Sequence, residues 1–203
     1  MAGSCSSRRR PDWVSSWSKI PSLSSWWHGG STRCPSGATG PRPTASDMVG
    51  GVIDFGHVGL QVRDLDRSLA YYRDVLGLRV VERGVRSDRY LADITGYPGV
   101  ELDIAVLETP TGVLVELLEY TNVVGEPVDT ATHNPGTGHV CFQVEDVDAI
   151  YHSALDAGHG AVSPPVTPTS GRWTGGRSVY LIDPDGIRVE LVQRGPSPDS
   201  LGG

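Results

Sequence analysis

Residues 56–66 read GHVGLQVRDLD, and residues 138–148 read GHVCFQVEDVD. Seven of the eleven positions are identical at a constant offset of 82 residues. Internal repetition outranks local propensity in deciding a fold, because each copy is one supersecondary unit. Both copies carry a histidine near the start, His57 and His139, inside an alternating, β-rich run that reads as a strand. After the first copy, DLDRSLAYYRDVLGL predicts a helix: Asp64 or Asp66 can cap it, Leu65, Leu69, Tyr72 and Leu76 fall at helical spacing, and Gly77 stops it. RVVERGV, LDIAVLE and GVLVELLEY then read as three strands. The second copy repeats the order. GHVCFQV is a strand, DVDAIYHSALDAG a helix ended by Gly158, and AVSPPVT a proline-broken strand expected at an edge. RSVYLID and IRVELVQR are strands joined by the turn DPDG. The expected fold class is α+β, as two tandem βαβββ modules at residues 52–121 and 136–195 of one domain, 52–195. A loop without period, TNVVGEPVDTATHNPGT, separates them, and long loops of this kind tend to be functional or mobile.

Outside that domain the composition changes. Residues 1–47 hold six basic and two acidic residues, a net of +4, against −7 for the whole chain. Residues 1–51 are rich in Ser, Gly, Pro and Trp without a period, so they are expected to be unfolded, and residues 196–203 to form a flexible tail. Three readings of the first segment stay open: a disordered tail, a targeting segment lacking an apolar h-region, or a start placed upstream of a true one at Met48. The net charge argues against nucleic acid as a partner. No apolar run approaches the roughly 18–20 residues that cross a bilayer, so no membrane partner is expected. The cysteines, Cys5, Cys34 and Cys141, are odd in number and far apart, which points to a reducing, cytoplasmic setting rather than a disulfide framework.

Residues two apart in a strand share a face. Val58, Leu60 and Val62 therefore point one way and His57, Gly59 and Gln61 the other. In the second copy Val140, Phe142 and Val144 oppose His139, Cys141 and Gln143. A face of histidine, a small residue and glutamine suits a cavity wall better than a core. The last strand of each module adds a carboxylate, Glu116 and Glu190, amid valine and leucine. A lone ionised carboxylate there is costly unless it is paired or bound to a metal, or unless it faces solvent. Its occurrence twice, in equivalent places beside equivalent histidines, favours the metal. Two His and two Glu form a nitrogen and oxygen set that suits one divalent ion: zinc, nickel, cobalt, manganese or iron.

The stretches HVGLQVRDLDRSLAYYRDVLGL, VLVELLEY, GHVCFQVEDVDAI and DPDGIRVEL, across about residues 52–195, resemble the vicinal oxygen chelate superfamily. That superfamily includes glyoxalase I, methylmalonyl-CoA epimerase, extradiol dioxygenases and the fosfomycin and bleomycin resistance proteins. The resemblance implies an open curved mixed sheet around a metal cavity, with His57, Glu116, His139 and Glu190 as ligands. It implies a small-molecule substrate and a lyase, isomerase or epimerase that moves a proton beside a carbonyl through a metal-stabilised enediolate, with Glu190 or Glu116 carrying the proton. In the family the site comes either from one chain or across a homodimer. The alternatives are a ferrous extradiol-type dioxygenase and a metal-free sequestering resistance protein. Gln61 and Tyr120 stand where glutathione-using relatives carry arginine and asparagine, which weakens a glutathione reading.

Further cavity candidates are Arg172, Trp173 and Arg177 in the loop SGRWTGGRSVY, read as an anion clamp and lid or as a solvated loop. Tyr97 in ITGYPGVEL is a rim candidate, and Gln61 and Gln143 are candidates to orient bound oxygens. Cys141 is read as a small packing residue, and His133 as lying near the site. His152 and His159 are read as surface histidines.

Overall fold

Two aspartates at the repeat offset start two helices. Asp64 and Asp146 each accept at 2.9 Å from a backbone N–H three residues on, at Arg67 and Ala149. Each satisfies a donor that the first helical turn leaves unpaired. The computed structural model describes residue 52 and residues 54–195. The expectations for residues 1–51 and 196–203 lie outside the described residues.

Strand β1 (His57–Val62) leads into helix α1 (Leu65–Leu69), which widens into a π-helical segment, Ala70–Val75. Gly77 then turns the chain at a φ of 75°, where a side chain would be strained. Next come β2 (Arg79–Arg86), α2 (Arg89–Thr95), β3 (Leu102–Glu108) and β4 (Leu114–Tyr120). The second module holds β5 (His139–Gln143), α3 (Val147–Asp156), β6 (Gly160–Ala161), β7 (Arg177–Ile182) and β8 (Arg188–Gln193). The strands form two four-stranded mixed sheets, ordered β1-β4-β3-β2 and β5-β8-β7-β6. In each, the first and last strands of the module pair in parallel and the other neighbours are antiparallel. The tandem βαβββ architecture expected from the repeat is present, and β1 and β5 each keep one edge unpaired within the described residues.

Two elements depart from expectation. The edge strand AVSPPVT shrinks to Gly160–Ala161 plus a single bridge, Val166 to Ser178. Pro164 and Pro165 have no N–H to donate to a ladder, so pairing stops before them. Helix α2 has no counterpart among the expected elements. It lies between β2 and β3, buries Leu91, and ends on Gly96 at a φ of 77°.

The core explains the strand faces. Leu60, Val62, Ala105, Leu107, Val115 and Leu117 lie under α1, against fully buried Tyr71 and Tyr72. Val179, Leu181, Val189 and Leu191 lie under α3 in the same continuous cluster. Burying each of these larger side chains contributes about 1.5–3 kcal/mol. Polar ties join the modules at the β7–β8 turn. The Tyr72 hydroxyl donates to Asp183 Oδ2 at 3.0 Å, and Arg63 Nε to Asp185 Oδ1 at 2.8 Å. No described helix is long and apolar enough to cross a membrane.

Candidate active site

On the face of each sheet turned away from its helix, one histidine meets one glutamate. His57 Nε2 lies 3.4 Å from Glu116 Oε2, and His139 Nε2 lies 3.1 Å from Glu190 Oε2. The register is the same in both copies. Gly59 sits opposite Glu116, and Cys141 opposite Glu190, with the histidine two residues earlier on the same face. The face expectation therefore describes the strands: His57, Gly59 and Gln61 are exposed where Leu60 and Val62 are buried. The carboxylates are 25% and 20% exposed, enough solvent to keep the desolvation cost partial while the imidazole supplies a partner.

The two pairs differ in their surroundings. A Cβ at position 59 would stand 3.4 Å from Leu118 and 3.9 Å from Glu116 Oε2, so glycine leaves the Glu116 carboxylate room. In the second copy Cys141 occupies that place. Burial pushes its thiol up to about 11, with the charge of Glu190 and a hydrogen bond to it adding to the rise. At neutral pH Cys141 is thus a thiol beside an acceptor, not a thiolate. Ser178 Oγ lies 3.4 Å from Glu190 Oε1, and the His139 ring meets Tyr180 edge-on with centroids 5.3 Å apart. Burial, then Glu190, hold the Tyr180 hydroxyl above its ordinary value. Strand alternation with an antiparallel β7–β8 register places Ser178 and Tyr180 on this face, and that signal is readable in RSVYLID.

The four expected ligands stand as two pairs, one per sheet. Among the described residues no three His, Cys, Asp or Glu side chains form a group that could hold a metal ion. A cleft of about 1020 Å³ runs along β1 and under the inter-module loop, and Gln61, Tyr97, Tyr120, Val128, Thr137 and His139 are among its walls. Tyr97 and Tyr120 meet edge-on at 6.0 Å.

The sequence matches the Glyoxalase/Bleomycin resistance protein/Dioxygenase superfamily across residues 54–191. The chain belongs to that superfamily. A protein of Brassica oleracea var. gemmifera named as a putative lactoylglutathione lyase is 33% identical over 150 residues, 72% of this chain and 46% of the relative. The chain spans about half the length of such plant relatives. The lactoylglutathione lyase of Haemophilus influenzae is 29% identical over 148 residues, 72% of this chain and 96% of the relative. A glyoxalase family protein of Bacillus cereus superposes with a TM-score of 0.65 at 21% identity, over 72% of this chain and 97% of that one, a likeness of fold.

In this superfamily member the remaining candidates scatter. Gln61 and Tyr97 line the cleft, while Gln143 is exposed on the His139 face and does not. Arg177 leaves the expected anion clamp: it points to the helix side of β7 and forms a two-pronged pair with Asp148 of α3, at 2.8 and 2.5 Å. Strand alternation puts it on the face of Val179 and Leu181, opposite Glu190. Arg172 and Arg194 flank the Trp173 ring, 5.5 and 5.7 Å from its centroid, a cation–π arrangement within the loop itself. A Cβ at Gly176 would stand 2.0 Å from the Gln193 carbonyl oxygen, so glycine is there for close packing against β8. His159 is not an ordinary surface histidine: its ring meets Tyr71 with centroids 4.7 Å apart, and burial lowers its pKa. His133 is exposed in the loop, near Asp129.

Proposed function

We propose that the chain is a divalent-metal-dependent lyase of the glyoxalase type, whose site is completed by a second copy of the chain. The observation that carries this is the pair of His–Glu couples at equivalent positions of duplicated sheets, each couple holding only half of a ligand set. The names of the relatives support the reaction class, and the edges of β1 and β5, unpaired among the described residues, leave room for a neighbour.

Imidazole nitrogen and carboxylate oxygen converging within 3.1–3.4 Å fit a divalent ion of the zinc, nickel, cobalt, manganese or iron series. His57 and Glu116 of one chain with His139 and Glu190 of the other would hold it. When bound, such an ion supplies a Lewis acid to neighbouring substrate oxygens. The chain's own work is proton movement. The substrate class is a 2-oxoaldehyde joined to a thiol as a hemithioacetal. A carboxylate takes the proton from the carbon bearing sulfur and returns one to the adjacent carbon, while the hydroxyl proton moves between the two oxygens. The product is a 2-hydroxyacyl thioester, with no net oxidation. Glu116, which among the described residues pairs with His57 alone, is the more mobile carrier. Glu190, contacted also by Cys141 and Ser178, is the fixed one. Gln61 and Tyr97 orient substrate oxygens along the cleft.

Subunit complementation tests both halves of this reading. His57→Ala and His139→Ala are each inactive with methylglyoxal–thiol adducts. Unfolding and refolding them together restores about a quarter of wild-type activity, since half the dimers are mixed and each carries one intact site. No restoration places the four ligands within one chain. No turnover of any such adduct by metal-loaded wild type refutes the reaction class.

A further inference from the structure

One cleft reaches both site faces. Its walls include His139 and Gly59, and Gly59 lies in register with Glu116. At about 1020 Å³ the cleft is far larger than the reacting part of a hemithioacetal, which is two carbons, two oxygens and a sulfur. The remaining length, along β1 and under the inter-module loop, therefore receives the thiol half of the substrate. Its lining reports what that thiol is.

That lining is mostly hydrocarbon. Tyr97 and Tyr120, which meet edge-on, share it with Val123, Val124 and Val128 of the inter-module loop. Val124 is 95% exposed and Val128 75%. A single exposed valine is ordinary, but several gathered on one concave wall form an apolar surface suited to a ligand. The charges there do not suit an anion. Asp185 and Glu126 both lie in the wall, against one guanidinium, that of Arg63. Asp185 holds Arg63 through both oxygens, Oδ1 accepting from Nε at 2.8 Å and Oδ2 from the backbone N–H at 3.1 Å. Glu126 is exposed. An incoming carboxylate would meet two carboxylates and would lose hydration against valine and tyrosine. Further polar side chains in the wall, Gln61 and Thr137, are uncharged.

We propose that the cleft takes an uncharged, largely apolar thiol half, and that it discriminates against thiols carrying a carboxylate. This names the thiol half within the glyoxalase-type reading and rests on that reading only for the reaction.

Unreactive thioethers stand in for the substrate in the test. In the full chain carrying carbon-13 valine methyl groups, the Val124 and Val128 signals are assigned by their loss in Val124→Ala and Val128→Ala. 2-(Alkylthio)ethanols from ethyl to hexyl move both signals saturably, and affinity rises about threefold per added methylene, the scale of apolar transfer. 6-[(2-Hydroxyethyl)thio]hexanoate, of the same length with a terminal carboxylate, binds roughly tenfold more weakly than the hexyl compound, and Glu126→Gln narrows that gap. Val128→Asp weakens binding of the hexyl compound roughly tenfold. Val162→Asp, at a valine exposed outside the cleft, leaves it unchanged. Equal affinity for the acid and the hexyl compound, or affinity independent of chain length, overturns the proposal. So do Val124 and Val128 signals that shift on dilution of the protein but not with thioether, since the wall then faces a second copy. In turnover, kcat/KM for the methylglyoxal adduct of 1-hexanethiol exceeds that for the adduct of 6-mercaptohexanoate roughly tenfold. Chain-length-dependent binding without turnover of either adduct keeps the cleft assignment and rejects the reaction.

Discussion

Removing one oxygen atom, in Tyr72→Phe, isolates the tie between the first module's helix and the turn that starts β8. The Tyr72 hydroxyl donates to Asp183 Oδ2 at 3.0 Å, while Asp183 Oδ1 accepts from the N–H groups of Ile187 and Asp185 at 2.7 and 2.9 Å. Both side chains are buried, Asp183 at 4% exposure. Phenylalanine keeps the ring packing and leaves Oδ2 without its donor. A hydrogen bond to a charged group contributes about 1.5–3 kcal/mol, and the orphaned oxygen keeps its desolvation cost, so about 2–3 kcal/mol of stability is lost. Urea unfolding at neutral pH, with the slope unchanged, measures it. A loss below about 0.5 kcal/mol, the level of an ordinary surface change, would falsify the claim that this bond holds the modules together. Asp183→Asn adds a pH arm. Burial raises the Asp183 carboxyl above the ordinary carboxylate value, outweighing the hydrogen bonds that lower it. The folded state then binds more protons than the unfolded one between the two values. This group's share of stability is full below the unfolded value and is lost as pH rises through the folded one. The amide does not titrate and abolishes that share, so the variant's stability relative to wild type rises with pH across this window. A difference that stays flat there contradicts the assignment.

Other substitutions probe single links. His57→Ala and His139→Ala change stability by no more than about 0.5 kcal/mol, because both side chains are half exposed, yet each abolishes stoichiometric metal binding; elemental analysis after gel filtration and urea unfolding check the two halves. Gly176→Ala pushes a methyl into the Gln193 carbonyl and costs roughly 1–3 kcal/mol, read as a lower unfolding midpoint; an unchanged midpoint rejects the close-packing account. Asp148→Ala releases Arg177 from an exposed pair and lowers the urea midpoint only slightly, with KM unchanged; a shifted KM returns Arg177 to the substrate cleft.

Much of this molecule is legible along the chain because its information is periodic. Strand alternation is a local property, so the repeat at His57 and His139 announces which residues face the helix and which do not. The caps Asp64 and Asp146 are local too. Helix α2 escapes because it is a short insertion present in one copy only, and a repeat gives no second instance to compare. Arg177 misleads because its glycine-rich neighbourhood resembles a cavity loop. Two residues from Val179, it belongs to the helix side, where Asp148 waits.

The amino-acid order alone determined the module, its duplication and the sidedness of its strands, because a two-residue period is settled within each βαβββ unit. Tertiary structure decided the distances between units. Nothing in either copy encodes how far the first couple stands from the second. That depends on side chains packing between helices and on Tyr72 reaching Asp183, long-range contacts that exist only once the chain has folded.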